Sequence, residues 1–389
     1  MKKNKILENL IYLAIFLIPL YLVKIKIGFL PTNALEIIIL GIFLLWIFFD
    51  KEKIKARDFF IEYKRYVIFS GMMFLGVLLS TFFSGNSTES WGIIKSWFLV
   101  PIMLFFLIER IVEKEKAEYA FWAYFFSATM VVIISLGYLI LNQLTYDGRL
   151  AGIFNSPNYL AMYLAPAIII ALEQWQNLKR NFKNIIILCL SSILVAFYLT
   201  YSYAGWISVI VAIMIIMIIK NKISFKKIGI IIAIFLLLFL SQLNSKKLTD
   251  ILSANPRSSL SSRSMIWQAS EKMIENNFVF GIGPGNFQKT YLEYQKFYPP
   301  YLEWAVPHPN NLYLTWWLYG GILGVIGFFG LVFFFLRDVL EKSKKEPKQV
   351  LFVALGIMLV ILIHGIFDTT YFKNDLAIIF WLNFLVLKK

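Results

Sequence analysis

Two histidines occur in the 389-residue chain, His308 and His364. His308 stands in Val306-Pro307-His308-Pro309-Asn310-Asn311. Proline suits the first turn of a helix, so Pro309 predicts a helix that opens there with His308 about at its N-cap. The positive end of a helix dipole opposes protonation and keeps an imidazole neutral, the form a general base requires. His364 and Asp368 are four residues apart, on one helix face, where the carboxylate could orient and charge the imidazole. Arg263 and Trp267 have the same spacing, and a guanidinium presents a planar fork of donors matched to phosphate. Each residue also has a plainer reading: an interfacial turn histidine, a helix-capping pair, an arginine in contact with lipid headgroups or water.

Other chemistries are poorly supported. Cys189 is the one cysteine and lies within an apolar run, so no disulfide can form within the chain. No His, Cys, Asp or Glu set has metal-ligand spacing, and no metal site or cofactor is predicted. Gly281-Ile282-Gly283-Pro284-Gly285 lacks the spacing and the strand–turn–helix setting of a dinucleotide loop, and reads as a turn.

The elements that must position these residues are membrane helices. The chain is 59% hydrophobic and 16% charged, against about 25% charged in a soluble domain. Its apolar residues form long unbroken runs, which excludes a soluble or disordered protein. Strand-like alternation is absent, so the runs are helices that satisfy their own backbone. Twelve are expected, at about 6–23, 33–49, 66–83, 91–108, 117–141, 157–173, 184–201, 203–219, 225–242, 309–336, 349–367 and 375–387. The fold class is thus an all-α integral membrane protein, one polytopic domain over 1–389. Basic Met1–Lys5 followed by apolar Ile6–Val23 resembles a signal peptide without a small-residue cleavage site, and is read as an uncleaved first span.

The net charge of +15 comes from basic residues in the short segments between apolar runs, where they orient the chain; nucleic-acid binding is not expected. With the N-terminus cytoplasmic, short loops carry 26 Lys and Arg on the inner side and 4 on the outer. Both termini are then cytoplasmic, and the segment 243–308 is a large extracytoplasmic loop. Within it, Met265, Ile266, Ala269, Met273 and Ile274 recur at amphipathic spacing, predicting a helix from about Ser259 to Asn276. That helix makes the loop a structured cap over the outer face.

On this topology the polar groups collect at one depth. Glu36, Lys95, Arg149, Asn155-Ser156-Pro157-Asn158, His308, His364 and Asp368 fall at the outer boundary, with Arg257 and Arg263 in the cap. Three of the chain's eight arginines are among them. Polar groups buried in a membrane usually mark function. Their absence from the bilayer middle disfavours a proton or ion relay and suits a site acting on a headgroup at the outer surface.

These residues together resemble the O-antigen ligase and O-antigen polymerase superfamily of bacterial membrane glycosyltransferases, most strongly over about 145–387. The resemblance rests on Arg149-Leu150-Ala151-Gly152-Ile153-Phe154-Asn155-Ser156-Pro157-Asn158, Arg263-x-x-x-Trp267, Gly281-Ile282-Gly283-Pro284-Gly285-Asn286-Phe287, His308-Pro309-Asn310-Asn311 and His364-Gly365-x-x-Asp368. It implies a GT-C-like bundle in the bacterial inner (plasma) membrane. It also implies metal-independent glycan transfer from an undecaprenyl-pyrophosphate carrier to an acceptor sugar, with the lipid tail between spans. One position departs: the family often has Ser-Arg-small between the seventh and eighth spans, where this chain has Ser202-Tyr203-Ala204. Either the Tyr203 hydroxyl or another residue such as Arg149 must take over there.

On that resemblance His308 accepts the proton of the acceptor hydroxyl as it attacks the anomeric carbon, with inversion. Arg263 and Arg149 stabilise charge on the leaving pyrophosphate. His364 and Asp368 orient His308 or the acceptor. Asn155, Asn158, Trp267, Asn310 and Tyr203 complete the substrate-binding set. The acceptor is a lipid A core sugar in a ligase and a carrier-linked glycan in a polymerase; compactness around one dominant outer loop favours the ligase. A lipid-linked oligosaccharide flippase is the rival from another class. It would spread polar groups through the bundle and often shows related halves, neither of which is evident.

Overall fold

The computed structural model describes residues 2–27, 30–49, 61–85, 88–221, 245–253, 258–299 and 306–388, with scattered positions between 229 and 243. The expected ninth span, at 225–242, lies largely outside the described residues, and Arg257 lies outside them entirely. In chain order the helices are α1 (Lys2–Phe16), α2 (Ala34–Phe49), α3 (Lys64–Phe83), α4 (Thr88–Ile111), α5 (Ala117–Ile140), α6 (Pro157–Gln174) and α7 (Arg180–Leu199). They continue as α8 (Tyr203–Ile219), α9 (Lys246–Leu252), α10 (Ser259–Asn276), α11 (Phe287–Tyr294), α12 (Leu312–Lys345), α13 (Gln349–His364) and α14 (Asn374–Leu382).

Among the described residues, five helical stretches are long and apolar enough to cross a membrane: α3, α4, Lys114–Ile140, α7 and α12. Shorter apolar helices are α2, α8, α13 and Asn374–Leu387. The apolar faces point outward as well as inward. Only 22% of the apolar window of α7 is buried, and Leu188 on it is 73% exposed, as expected of a surface solvated by lipid rather than water. In contrast α6 and α13 are buried on almost every face, the mark of helices at the centre of a bundle. The chain is a helical, multi-pass membrane protein.

One element departs from an all-α reading. Lys24-Ile25-Lys26-Ile27 alternates with period two and pairs as β1 with antiparallel β2 (Leu30–Asn33), Lys24 opposite Asn33. Asn33 Oδ1 then accepts from Glu36 N at 3.0 Å, closing the first turn of α2.

The expected 259–276 helix is present as α10, with Met265, Ile266, Ala269, Met273 and Ile274 all buried and the Ser258 hydroxyl capping it. The glycine turn behind it has a packing role. α12 breaks at Gly321 (φ 58°), which frees Leu318 O and Ile322 N from the helical ladder. The turn supplies their partners: Ile282 N donates to Leu318 O at 2.7 Å, and Val279 O accepts from Ile322 N at 3.1 Å. Backbone comes so close that a Cβ on Gly281 would lie 2.4 Å from Leu318 O.

Candidate functional site

α7 ends and α8 begins through a tight turn in which Tyr201 takes a left-handed conformation (φ 45°). The last carbonyls of a helix lack intrahelical donors. Two cations from distant segments supply them here. Arg149 Nε donates to Thr200 O at 2.7 Å, and Lys247 Nζ donates to Tyr201 O. Arg149 is further fixed by Nη2 donating to Asn158 Oδ1 at 2.8 Å and by Asp147 Oδ2 3.6 Å from Nη1. Asn158 can offer that oxygen because Ser156 caps α6 and starts the helix just before it. Arg149 is 8% exposed, and burial, joined by Arg263, lowers its pKa.

Lys247 is the functional candidate that sequence reasoning missed. It comes from α9 and lies 4.5 Å over the ring of Tyr203. Among the described residues no carboxylate is within ion-pair distance of it. Burial pushes its pKa down to about 6, with Arg149 and Arg263 acting in the same direction. The sequence offered one signal: the missing cation at Tyr203 required another nearby. Spacing alone did not say which.

Arg263 reaches from α10 to the turn after α13. Its Nε donates to Phe367 O at 2.9 Å, and Nη2 stands 3.9 Å from Asp368 Oδ2. One turn further along α10, Trp267 Nε1 donates to Pro309 O at 3.0 Å, which ties the helix to the His308 segment. Asn310 follows in a left-handed conformation (φ 51°), one that asparagine tolerates. The helix cap is therefore not His308. α12 starts three residues later than expected, because Asn311 Oδ1 accepts from both Tyr313 N (2.9 Å) and Leu314 N (3.0 Å).

The neutrality expected of His308 has a different origin. Burial lowers its pKa to about 4, with Lys373 and Arg263 adding to the effect and Asp368 opposing it. Its Nδ1 is buried without a hydrogen-bond partner among the described residues. Lys373, in the turn before α14, was a second omission of the sequence reading, counted there only as a topology charge.

The expected pairing of His364 with Asp368 is not formed. Asp368 Oδ1 accepts from its neighbour Thr369 N at 2.8 Å, and Oδ2 turns to Arg263. His364 is 1% exposed, next to Gly205 at the start of α8, and neither ring nitrogen has a partner among the described residues. Asp368 N still donates to His364 O at 3.1 Å, one turn on, but the carboxylate is taken by Thr369 N and Arg263 instead of the imidazole. Asn155 also departs from the set: it is exposed and faces a neighbouring cleft rather than Arg149.

The molecule is thus a multi-pass helical membrane protein with two guanidiniums, a buried amine and a neutral imidazole around the ends of α7 and α13. Residues 186–329 match the protein-family model described as O-antigen ligase, which bears out the resemblance to the O-antigen ligase and polymerase superfamily. That segment holds Tyr203, Lys247, Arg263, Trp267, His308 and Asn310; Arg149 and His364 lie outside it. No curated protein matches the chain.

Proposed function

We propose that this protein is an O-antigen ligase. It would take a glycan from undecaprenyl pyrophosphate and join it to a sugar of the lipid A core, at the outer face of the inner membrane. The observation that carries the reading is the convergence of Arg149, Arg263 and Lys247, of which Arg263 also acts on His308. Arg149 and Arg263 are each matched by one carboxylate, Asp147 and Asp368, and Lys247, its pKa pushed down to about 6, takes up a proton and supplies the extra positive charge when an anion enters. A lipid diphosphate at a membrane boundary supplies the complementary anion. The twelve-span topology, cytoplasmic termini and a 243–308 cap are parts of the same proposal, supported by the distribution of Lys and Arg.

In the transfer, His308 takes the proton from the acceptor hydroxyl while that oxygen attacks the anomeric carbon. The bond from that carbon to the diphosphate oxygen breaks, and the sugar inverts. Charge growing on the diphosphate is met by Arg149, Arg263 and Lys247, already fixed in place by carbonyl and carboxylate partners. An imidazole with a pKa of about 4 is a weak base in the empty site. The incoming diphosphate offsets Lys373 and Arg263 and raises that basicity, so the base is armed when donor is present. Diphosphate is a good leaving group, and this mechanism draws on no metal ion.

The test is a reconstitution. Purified protein with a synthetic undecaprenyl-pyrophosphate glycan and lipid A core acceptor should give the ligated product by mass spectrometry. Transfer only onto a second carrier-linked glycan would mark a polymerase, and no donor consumption would end the reading.

A further inference from the structure

A cavity of about 510 Å³ opens beside this site, walled by the hairpin, the start of α2, the first turns of α4 and the loop before α6. Its size falls in the ~300–1,000 Å³ range of small-ligand sites. The lining is mixed: Tyr21, Trp97, Phe154 and Tyr159 supply ring surface, while Asn33, Glu36, Asn155 and Asn374 supply hydrogen-bonding groups. Such alternation of flat apolar faces and fixed polar groups matches the two surfaces of a sugar ring, its C–H face and its hydroxyl edge.

The polar groups are held in place. Glu36 is 5% exposed and accepts from Thr32 Oγ1 at 2.7 Å and from Ser96 Oγ, with Lys95 Nζ 2.7 Å away. Trp97 Nε1 donates to Asn374 Oδ1 at 3.1 Å. The hydroxyls of Tyr21 and Tyr159 are hydrogen-bonded to each other, and Tyr159 donates to buried Asp375 at 2.6 Å. Lys95, Ser96 and Trp97 occupy a π-helical turn, Lys95–Leu99, inside α4. Such turns are rare, are found often at functional sites, and rotate side chains off the regular face. Charge is nearly balanced, Lys24 and Lys373 against Glu89, with Glu36 neutralised by Lys95. That suits a neutral polyol better than a second phosphate.

We infer that this cleft binds the acceptor saccharide. The inference rests on the transferase reading, which gives the neighbouring cations to the donor. Lys373 links the two sites: it lines the cleft and is the charged group acting most strongly on His308. Lys247 at the far end feels Arg149 and Arg263 instead. A hydroxyl entering from the cleft would pass Lys373 to reach His308, while the leaving diphosphate is held by the cations at the other end.

Gly92 provides the test, because it lines the cleft and a Cβ there meets no atom within 4 Å. Gly92→Trp should fill the cleft without disturbing the fold. Wild-type protein in detergent, overlaid on an array of short oligosaccharides, should retain one class of them, and Gly92→Trp should retain that class at least tenfold less. Both proteins should bind undecaprenyl pyrophosphate equally. In turnover, Gly92→Trp should raise the KM for acceptor and leave that for donor unchanged. Equal oligosaccharide retention by the two proteins, none by the wild type, or a raised donor KM would overturn the assignment. Absence of undecaprenyl pyrophosphate binding by the wild type would instead count against the donor reading, since the array measures the cleft alone.

Discussion

Lys247 Nζ lies 4.5 Å from the centre of the Tyr203 ring, at the turn where the family resemblance leads one to expect an arginine. The cation arrives from a different helix and is held by Tyr201 O from the same turn. The charge has moved along the chain while its location in space is kept. A buried amine also differs from a guanidinium in being able to give up its proton, and its pKa is pushed down to about 6 by burial first and by Arg149 and Arg263 next.

Lys247→Met should therefore weaken donor binding about tenfold or more, the loss expected when a hydrogen bond to a charged group worth ~1.5–3 kcal/mol is removed. Lys247→Arg should restore most of it. Titration with undecaprenyl pyrophosphate reads the effect, and an unchanged affinity in the Met variant would remove Lys247 from the site.

His308→Ala should lower kcat by ~10²–10⁴, the usual contribution of a positioned general base, while undecaprenyl pyrophosphate still binds. Melting of the variant in detergent should stay close to wild type. Transfer near the normal rate would show that another group takes the proton.

The pH dependence has a definite sign. With His308 lowered to about 4, the acid limb of kcat/KM should lie near 4, since it reports the free enzyme, and a basic limb should follow from Lys247, whose amine is pushed down to about 6. The acid limb of kcat should lie higher, because bound diphosphate offsets the neighbouring cations. Stability should move the same way. Between the ordinary histidine value of about 6.5 and about 4, the unfolded chain takes up a proton that folded His308 refuses, so stability decreases as pH falls through that window. His308→Gln should flatten that part of the stability profile.

Asp368 Oδ2 stands 3.9 Å from Arg263 Nη2, and neither carboxylate oxygen bonds the His364 ring. Arg263→Ala should raise the donor KM about tenfold or more. Asp368→Asn, which keeps shape and frees the guanidinium from a competing anion, should change donor KM by less than Arg263→Ala does. A collapse of kcat in Asp368→Asn with an unchanged KM would instead restore its role with a histidine.

Gly281→Ala should be strongly destabilising. Its φ is 71°, and the added methyl would sit 2.4 Å from Leu318 O, so strain of ~1–3 kcal/mol adds to a backbone clash. Gly92→Ala, in open space, is the control and should melt as wild type does.

Much of the fold was legible because hydrocarbon permits few solutions. A chain that cannot leave backbone groups unsatisfied must make helices of a given length, and α3, α4, α7 and α12 follow the apolar runs closely. The amphipathic stripe of α10 was readable for the same reason: a buried face recurs at helical period whatever it packs against. The hairpin at 24–33 was not, since its two four-residue strands lie in what reads as a charged connector.

In the candidate site, residue type was visible and partnership was not. The two histidines and the outer arginines stand out because buried polar groups are costly in a membrane. Which carboxylate faces which cation depends on where helices end. Asn311 moved the start of α12 past His308, and the turn after His364 carried Asp368 over to Arg263. Lys247 and Lys373 joined the site through contacts between segments far apart in the chain, and no local spacing records those. Composition determined that the chain is a helical membrane protein, and the apolar runs left its polar groups near the helix ends. Only the packing of α9, α10 and the turns around α13 decided which of those groups meet, because electrostatic partnership depends on distance in space, and helix packing sets that distance.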